Sequence, residues 1–157
     1  MKRDLILTKP LTSSFLSCEK DTELILRKLF VQSRPYSDTL KSLLIIQAPD
    51  CLDNMEKYKE KLDSFSIARM VDEGYIQFDS VVKNKEHEQV KARIHVYFDN
   101  FSKDYTNPEF RDCEVHFEVI VHHDQSDLGN YRQRALKIVG YIDGLLNNTK
   151  LTGIGTL

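Results

Sequence analysis

The sequence is poor in cysteine and has no long apolar segment. Its 3 cysteines, at positions 18, 51 and 113, are too few and too far apart for a disulfide framework or a Cys-x-x-Cys metal knuckle. The longest aliphatic run, Leu43 to Ile46, is far shorter than the roughly 18 residues of a membrane-spanning helix. These absences predict a protein of a reducing compartment that does not cross a membrane.

The sequence also lacks an excess of one charge. Its 22 lysines and arginines are balanced by 24 aspartates and glutamates, which gives a net charge of −2. Dedicated nucleic-acid binders carry a clustered positive excess, so the balance disfavours that class. The start, MKRDLILTKP, is basic but continues with only three apolar residues, whereas a secretory signal needs about 7 to 15. We therefore expect no export signal.

The composition favours one globular domain. Hydrophobic residues make up 41% of the 157 positions and charged residues 29%. A domain typically holds about 100 to 200 residues, and no repeat or low-complexity linker divides this chain. We expect a single domain over 1–157, with an irregular lead-in at 1–17.

The first half of the chain predicts two helices and a strand. Apolar residues recur at helical spacing over 21–33, and this helix must end before Pro35, because proline disfavours helical geometry in the residue before it. The apolar run LKSLLIIQ, 40–47, is interpreted as a short buried strand. Residues 54–63 form the second predicted helix.

The second half shows the period-two pattern of β-strands. Segments 74–82 and 90–98 flank the polar stretch KNKEHEQ, 83–89, which predicts an antiparallel hairpin with a long charged tip. In the second of these strands alternate residues are expected to face the core: Val90, Ala92, Ile94, Val96 and Phe98. The intervening residues face the other way: Lys91, Arg93, His95 and Tyr97. A third strand, 113–122, places Val115, Phe117, Val119 and Val121 on one face, opposite His116, Glu118, Ile120 and His122.

A strong amphipathic pattern follows this strand. It begins at Leu128, and its apolar stripe is Tyr131, Ala135, Ile138, Val139, Ile142, Leu145 and Leu146. Arg132 and Arg134 lie off that stripe. The helix ends at NNTK, and LTGIGTL is interpreted as a closing strand. The elements together predict an α+β fold, in which a mostly antiparallel sheet with a long hairpin packs against an N-terminal and a C-terminal helix.

The stretch VHHDQSD, 121–127, contains residue types that bind metals or transfer protons. It falls on the connection between a strand and a helix, where Ser126 or Asp127 would cap the helix. His122 and His123 are adjacent and would point to opposite faces of a strand. A metal site would need the turn to bring them together, with Asp124 as a third ligand, and no HExxH or remote Cys/His pair completes a set. We therefore interpret the stretch as a capped turn and predict no metal site and no cofactor.

Other patterns give little support for catalysis. The sequence contains no phosphate-binding GxxxxGK[ST] loop and no GxSxG nucleophile elbow. Cys113 is expected to be a small buried residue that points away from His116. Glu114, His116 and Glu118 share one strand face, which is more typical of a solvated surface or an intersubunit contact than of an active site. We predict a non-enzyme without catalytic residues.

Two other segments suggest contacts between subunits. The predicted loop 99–112 carries Phe101, Tyr105 and Phe110 among charges; these rings either fill the domain's own core or form an interface. Gly153 and Gly155 leave one face of the closing strand nearly bare, which permits close approach by another backbone. These five residues are the candidate interface.

The last third of the sequence, VHFEVIVHHDQSDLGNYRQRALKIVGYIDGLLNNTKLTGIGTL, resembles the closing βαβ unit of tail-terminator (tail-completion) proteins of tailed bacteriophages. In that family a strand and turn lead into an arginine-bearing helix of the form R…I…ID.LLN and then a short glycine-containing strand. The stretch GYIQFDS with its charged hairpin tip is similar to the family's central hairpin. Similarity of residues covers 74–82 and 115–157, and similarity of element order covers most of the chain.

The resemblance implies a structural virion protein that forms a ring, usually a hexamer, at the head-proximal end of the tail. Such a ring ends polymerisation of the tail tube protein and offers the docking surface for a head-completion or connector protein, while DNA passes through the lumen unread. It implies assembly in the host cytoplasm, location at the head-tail junction of the virion, and no membrane partner. Two alternatives remain open: another neck or head-closure protein, or a small ligand-binding or enzyme domain with His116, Glu118, His122 and Asp124 around a cavity.

Overall fold

A computed structural model describes residues 14–79, 89–103, 105–106, 111–147, 150–151 and 155–156. Helices α1 to α5 span Ser14–Arg27, Tyr36–Ile45, Met55–Asp63, Ile67–Asp72 and Arg134–Leu146. A π-helical turn, Lys28–Gln32, extends α1, and a 3₁₀ turn, His123–Gln125, precedes α5. Strands β1 to β5 span Ile76–Gln77, Ala92–Lys103, Arg111–Val121, Lys150–Leu151 and Gly155–Thr156. In this part of the chain no helix is long and apolar enough to cross a membrane.

The architecture is α+β, which confirms the predicted fold class. Strands β1, β2 and β3 form one mixed sheet in that order, and β4 pairs with β5 in a separate antiparallel ribbon. Helix α2 packs on β2, α3 and α5, and α5 also packs on β3. The helices therefore cover the face of the sheet on which the core forms.

One face of the β2–β3 pair builds this core as the alternation predicts. Ala92, Ile94 and Val96 of β2 are fully buried, opposite the half-buried Val121, Val119 and Phe117 of β3. The helices and the π-helical turn contribute further buried apolar side chains, among them Ile25, Leu29 and Phe30; Leu40, Leu43, Leu44 and Ile45; Met70; and Ile138, Ile142 and Leu146.

The other face of β2 is more buried than expected. Arg93 and His95 are almost inaccessible to solvent, whereas Val90, which was predicted to be buried, is 42% exposed. The ring Nδ1 of His95 lies 2.8 Å from the main-chain oxygen of Asp79, and Arg93 donates a hydrogen bond to the Gln89 side chain. Asp79 and Gln89 thus contact side chains on this face, so alternation along β2 does not separate buried from exposed residues.

The predicted strand over 40–47 is wrong, since this segment belongs to helix α2. Nearly every residue from Leu40 to Ile45 is buried, including Lys41 and Ser42. A helix enclosed on all sides has an apolar run with no amphipathic period, which resembles the run of a buried strand.

The hairpin is also placed differently. Strand β1 covers only two residues of the predicted 74–82 and pairs with β2 in parallel, Ile76 opposite Ile94. The long antiparallel hairpin is instead β2–β3, which extends through much of the predicted loop 99–112. Residues 83–88 of the predicted charged tip lie outside the described residues.

Helices elsewhere agree with the sequence in part. The predicted helices over 21–33 and 54–63 are present, and the first begins earlier, at Ser14 within the predicted lead-in. Helix α4 was missed because it spans only six residues; its N-cap is Ser66, whose hydroxyl accepts a hydrogen bond from the Arg69 amide. The closing strand is two short strands, β4 and β5.

Helix α5 begins at Arg134, six residues after the predicted start at Leu128. Gly129, Asn130 and Tyr131 have φ values of 73°, 51° and 62°, and this left-handed backbone cannot belong to an α-helix. Ser126 and Asp127 do not cap α5, since the Ser126 hydroxyl donates to the His123 carbonyl and the Asp127 carboxylate accepts from the Gly129 amide. The turn is held by side chains, as expected, but the helix starts beyond it.

The side chain of Arg134 joins α5 to the rest of the molecule. It was predicted to lie off the apolar stripe, but its exposure is 0%. Its guanidinium donates hydrogen bonds of 2.7 to 3.2 Å to five main-chain carbonyls: Leu43, Ile46, Gln47, Ala48 and Gln125. Four of these carbonyls lie at or just beyond the C-terminal end of α2, where helical carbonyls lack partners and the helix dipole favours a cation. Burial lowers the pKa of Arg134 from its usual range.

Replacement of Arg134 by methionine should therefore destabilise the fold. The substitution keeps an apolar stem but leaves buried carbonyls unpaired, so the free energy of unfolding should fall by about 3–5 kcal/mol. The free energy of unfolding of Arg134→Lys should lie between those of the wild type and Arg134→Met, because one ammonium group cannot reach five acceptors. Urea unfolding measures the difference, with the exposed Lys137→Met on the same helix as control. An Arg134→Met variant as stable as Lys137→Met would contradict this role.

Candidate functional site

The end of the β2–β3 hairpin presents aromatic side chains to solvent. Tyr105 is 100% exposed and Phe101 is 36% exposed, so Tyr105 does not fill the domain's own core. Asn100, with φ of 53°, marks a break in the ladder between Asp99 and Ser102 that precedes them. Of the other predicted interface residues, Gly155 lies in β5, and Phe110 and Gly153 lie outside the described residues.

The outer face of α5 is a second exposed apolar surface, which the sequence analysis did not identify. Leu136 is 67% exposed, and Val139, which was assigned to the buried stripe, is 48% exposed. Gly140 and Gly144 continue this face, and a Cβ atom built on either would meet only open space. The sequence indicates this exposed face in one way: α5 carries more apolar residues than one buried stripe can hold.

The loop before α5 adds Tyr131, whose side chain is fully exposed and whose backbone is left-handed. Arg132 fixes this loop through two hydrogen bonds to the Asp53 carboxylate, of 2.9 and 2.7 Å. The bond from Arg132 and its positive charge lower the pKa of Asp53. The pair between Arg132 and Asp53 thus fixes the position of the loop that exposes Tyr131.

The two apolar surfaces are separate, although α5 runs back along β3, where Val139 and Leu146 line a groove with Cys113 and Val119. Ala92 pairs with Val121 at one end of the ladder, and Lys103 pairs with Arg111 at the other. The turn into α5 follows Val121, so Tyr131 and Leu136 lie near that end. The nine residue-to-residue steps from Ala92 to Phe101 span about 30 Å as extended strand. We call these the hairpin surface (Phe101, Tyr105) and the helix surface (Tyr131, Leu136, Val139, Gly140, Gly144).

The histidine turn, His122 to Asp124, lies between β3 and α5. The structure brings its side chains together, which was the condition for a metal site. His123 Nε2 lies 2.7 Å from one Asp124 carboxylate oxygen, and His122 Nδ1 lies 3.5 Å from the other. The two rings are 4.6 Å apart between centroids. One ligand atom from each residue falls within 4.8 Å of the others.

The backbone around this turn is tied to the core. Gln125 is buried and donates from its side chain to the Val90 carbonyl, and its own carbonyl accepts a 2.8 Å hydrogen bond from Arg134 Nε. The Arg134 amide donates to the Ser126 carbonyl at 2.8 Å. The hydrogen bonds of Gln125 and Arg134 therefore set the backbone conformation of the histidine turn.

The row of Glu114, His116 and Glu118 lies on the face of β3 opposite the core. Glu114 and Glu118 are exposed, His116 is half-buried, and the His116 ring stacks on Tyr97 of β2 with centroids 5.1 Å apart. His116 Nε2 lies 3.3 Å from a Glu114 oxygen, but the angle does not make a hydrogen bond. This placement agrees with a solvated strand face.

The cysteines are not disposed as nucleophiles. Cys113 is exposed, which corrects the expectation of a buried residue, while Cys51 is buried and Cys18 half-buried. Burial is the main factor that raises the pKa of all three thiols above the ordinary value. A raised pKa lowers the thiolate fraction, and the thiolate is the reactive form.

These features describe a small α+β protein with two separate exposed apolar surfaces and a compact histidine turn. The chain belongs to the YomW family, whose model matches residues 37–157. The matched region begins at α2 and includes the sheet, the histidine turn and α5. No curated protein and no solved structure matches the chain.

The pair between Arg132 and Asp53 predicts a pH-dependent contribution to stability. Because its pKa in the folded state is lowered, the Asp53 carboxylate stabilises the fold above its ordinary pKa of about 3.9 and loses this effect as the pH falls through the lowered value. Asp53→Asn should therefore be less stable than the wild type at neutral pH, and the difference should shrink below about pH 4. Urea unfolding at several pH values measures this, with the exposed Asp72→Asn as control. A constant difference across the series would refute it.

Proposed function

We propose that the protein is a structural component of a phage particle that forms a ring at the head-proximal end of the tail. The ring ends polymerisation of the tail tube protein and presents a docking surface to a head-completion or connector protein. The proposal places the protein in the virion, at the head-tail junction, after assembly in the host cytoplasm, and it assigns no enzymatic role.

The observation that carries the proposal is the pair of unlike, separate apolar surfaces on the subunit. A ring requires heterologous contacts, in which one patch of each copy meets a different patch of the next. The hairpin surface is aromatic and extended, whereas the helix surface combines Leu136 and Val139 with two open glycines. Small residues let another backbone approach, and aromatic side chains are enriched at interface hot spots. A monomer with one buried core does not require either surface.

Three further points agree with this role. The YomW family is phage-associated. The resemblance of 74–82 and 115–157 to tail terminators includes the helix that carries the second surface. The net charge of −2 suits a ring through which DNA passes without sequence-specific binding, because a strongly basic lumen would hold the phosphate backbone.

Removal of the protein from a phage assembly system tests the role directly. Without a terminator, tube polymerisation has no stop signal, so electron microscopy should show tails longer than normal and without heads. Tails of normal length that lack heads would instead indicate the alternative role of a head-closure protein. Normal, headed particles would overturn both roles.

Substitutions at the two surfaces test the ring. We expect the pair Phe101→Ser and Tyr105→Ser, and separately the pair Leu136→Ser and Val139→Ser, to reduce ring formation on tail tubes at least about tenfold, since hot-spot losses reach 2 kcal/mol or more. Negative-stain microscopy counts capped tubes, and circular dichroism checks that each variant is folded. The exposed pair Lys59→Ser and Glu60→Ser on α3 is the matched control. Folded variants that cap tubes as the control does would exclude these surfaces as the ring contacts.

A further inference from the structure

We propose that the histidine turn is a binding site for a divalent transition-metal ion of the zinc class, with His122, His123 and Asp124 as ligands. The proposal stands on the geometry of the turn and does not depend on the role in a phage particle. It differs from the expectation of a turn without a metal, because the structure brings together two side chains that an extended strand would separate.

The distances suit a small cation. Zinc binds imidazole nitrogen at about 2.0–2.1 Å and carboxylate oxygen at about 2.0–2.2 Å, so neighbouring ligands around a tetrahedral ion lie about 3.3 Å apart. The separations between the Asp124 oxygens and the two imidazoles, 2.7 and 3.5 Å, bracket this value. All three ligand atoms fall within 4.8 Å of one another, so small rotations of the three side chains would close the set.

The ligand types select the metal class. Two neutral imidazoles and one carboxylate suit zinc, nickel or copper and are a poor set for calcium or magnesium, which take mainly oxygen ligands. Three protein ligands leave one tetrahedral position open for water or another donor. A pocket of about 230 Å³ beside His122 and His123 provides room for it.

The surroundings favour the site in one way. Contacts from Gln125 and Arg134 already hold the backbone of the turn, so metal binding would need to order only side chains. Two cations line the same pocket. The Lys91 ammonium group donates to the Glu73 carbonyl at 2.7 Å and lies over the Tyr75 ring, and the Arg93 guanidinium donates to the Gln89 side chain.

The simpler interpretation is that Asp124 pairs with a protonated histidine. That pairing accounts for the 2.7 Å contact with His123, and a 3.3 Å hydrogen bond from the Asp124 amide to His122 Nδ1 holds the second ring beside the same residue. Metal binding would replace both contacts by bonds to one cation, so a zinc titration distinguishes the two interpretations.

A zinc titration of the full-length protein without an affinity tag tests the site. Competition with a chromophoric zinc indicator should show one equivalent bound to the wild type, and cobalt should bind with visible absorption typical of low coordination. His123→Ala and Asp124→Asn should each weaken zinc binding at least about tenfold, as even loss of an outer-shell partner does. His123 is 85% exposed, so its loss should not disturb the core.

His116→Ala is the matched control, because it also removes an accessible histidine beside a carboxylate. It should bind zinc as the wild type does. The proposal fails if the wild type binds no zinc, if both turn variants bind as tightly as the wild type, or if His116→Ala loses as much affinity as they do. The last result would indicate scattered binding by surface histidines.

Discussion

The arrangement of this molecule depends on the buried guanidinium of Arg134. Within the described part of the chain, Arg134 forms no ion pair with a carboxylate, and its guanidinium donates mainly to carbonyls at the end of α2. Replacing water by carbonyl partners around a buried guanidinium is favourable only if nearly every donor finds an acceptor, because a buried charge with unmet hydrogen bonds costs several kcal/mol. The orientation of α5 relative to α2 is thus limited to one that places the guanidinium over the helix end.

This constraint reaches the surfaces considered for function. The bond from Arg134 to the Gln125 carbonyl fixes the histidine turn beside the first residue of α5. With that end fixed, Ile138, Ile142 and Leu146 face the core, and Leu136 and Val139 face solvent. The inner contacts of α5 therefore determine which apolar side chains remain available to a partner.

The sequence was informative where one physical rule dominated. Alternation identified the core face of β2 and β3 and hence the α+β class, because a half-buried antiparallel pair has a clear period of two. The pattern failed at α2, which is buried on all sides and has no polar face. It failed differently at Arg93 and His95, which lie on the predicted polar face of β2 but are buried. It also failed at Arg134, since a buried arginine looks like any surface charge until its carbonyl partners are known.

The candidate sites show the same division. The aromatic hairpin surface followed from residue type alone, as Tyr105 shows. The helix surface did not, because the start of α5 depends on three left-handed residues of which only Gly129 suggests such a conformation in the sequence. His122 and His123 approach each other because a 3₁₀ turn follows β3. Adjacent residues on an extended strand would point to opposite faces, so the sequence pattern does not predict this approach.

The position of Arg134 also bears on how the chain acquires its structure during synthesis. Its partner Leu43 precedes it by 91 residues, so the end of α2 waits for the last quarter of the polypeptide before its carbonyls are satisfied. Contacts of such long sequence separation slow folding, and ribosomes release a chain from its N terminus onward. The N-terminal helices therefore leave the ribosome before Arg134 is available. The carbonyls at the end of α2 gain these hydrogen bonds only after Arg134 has been synthesised.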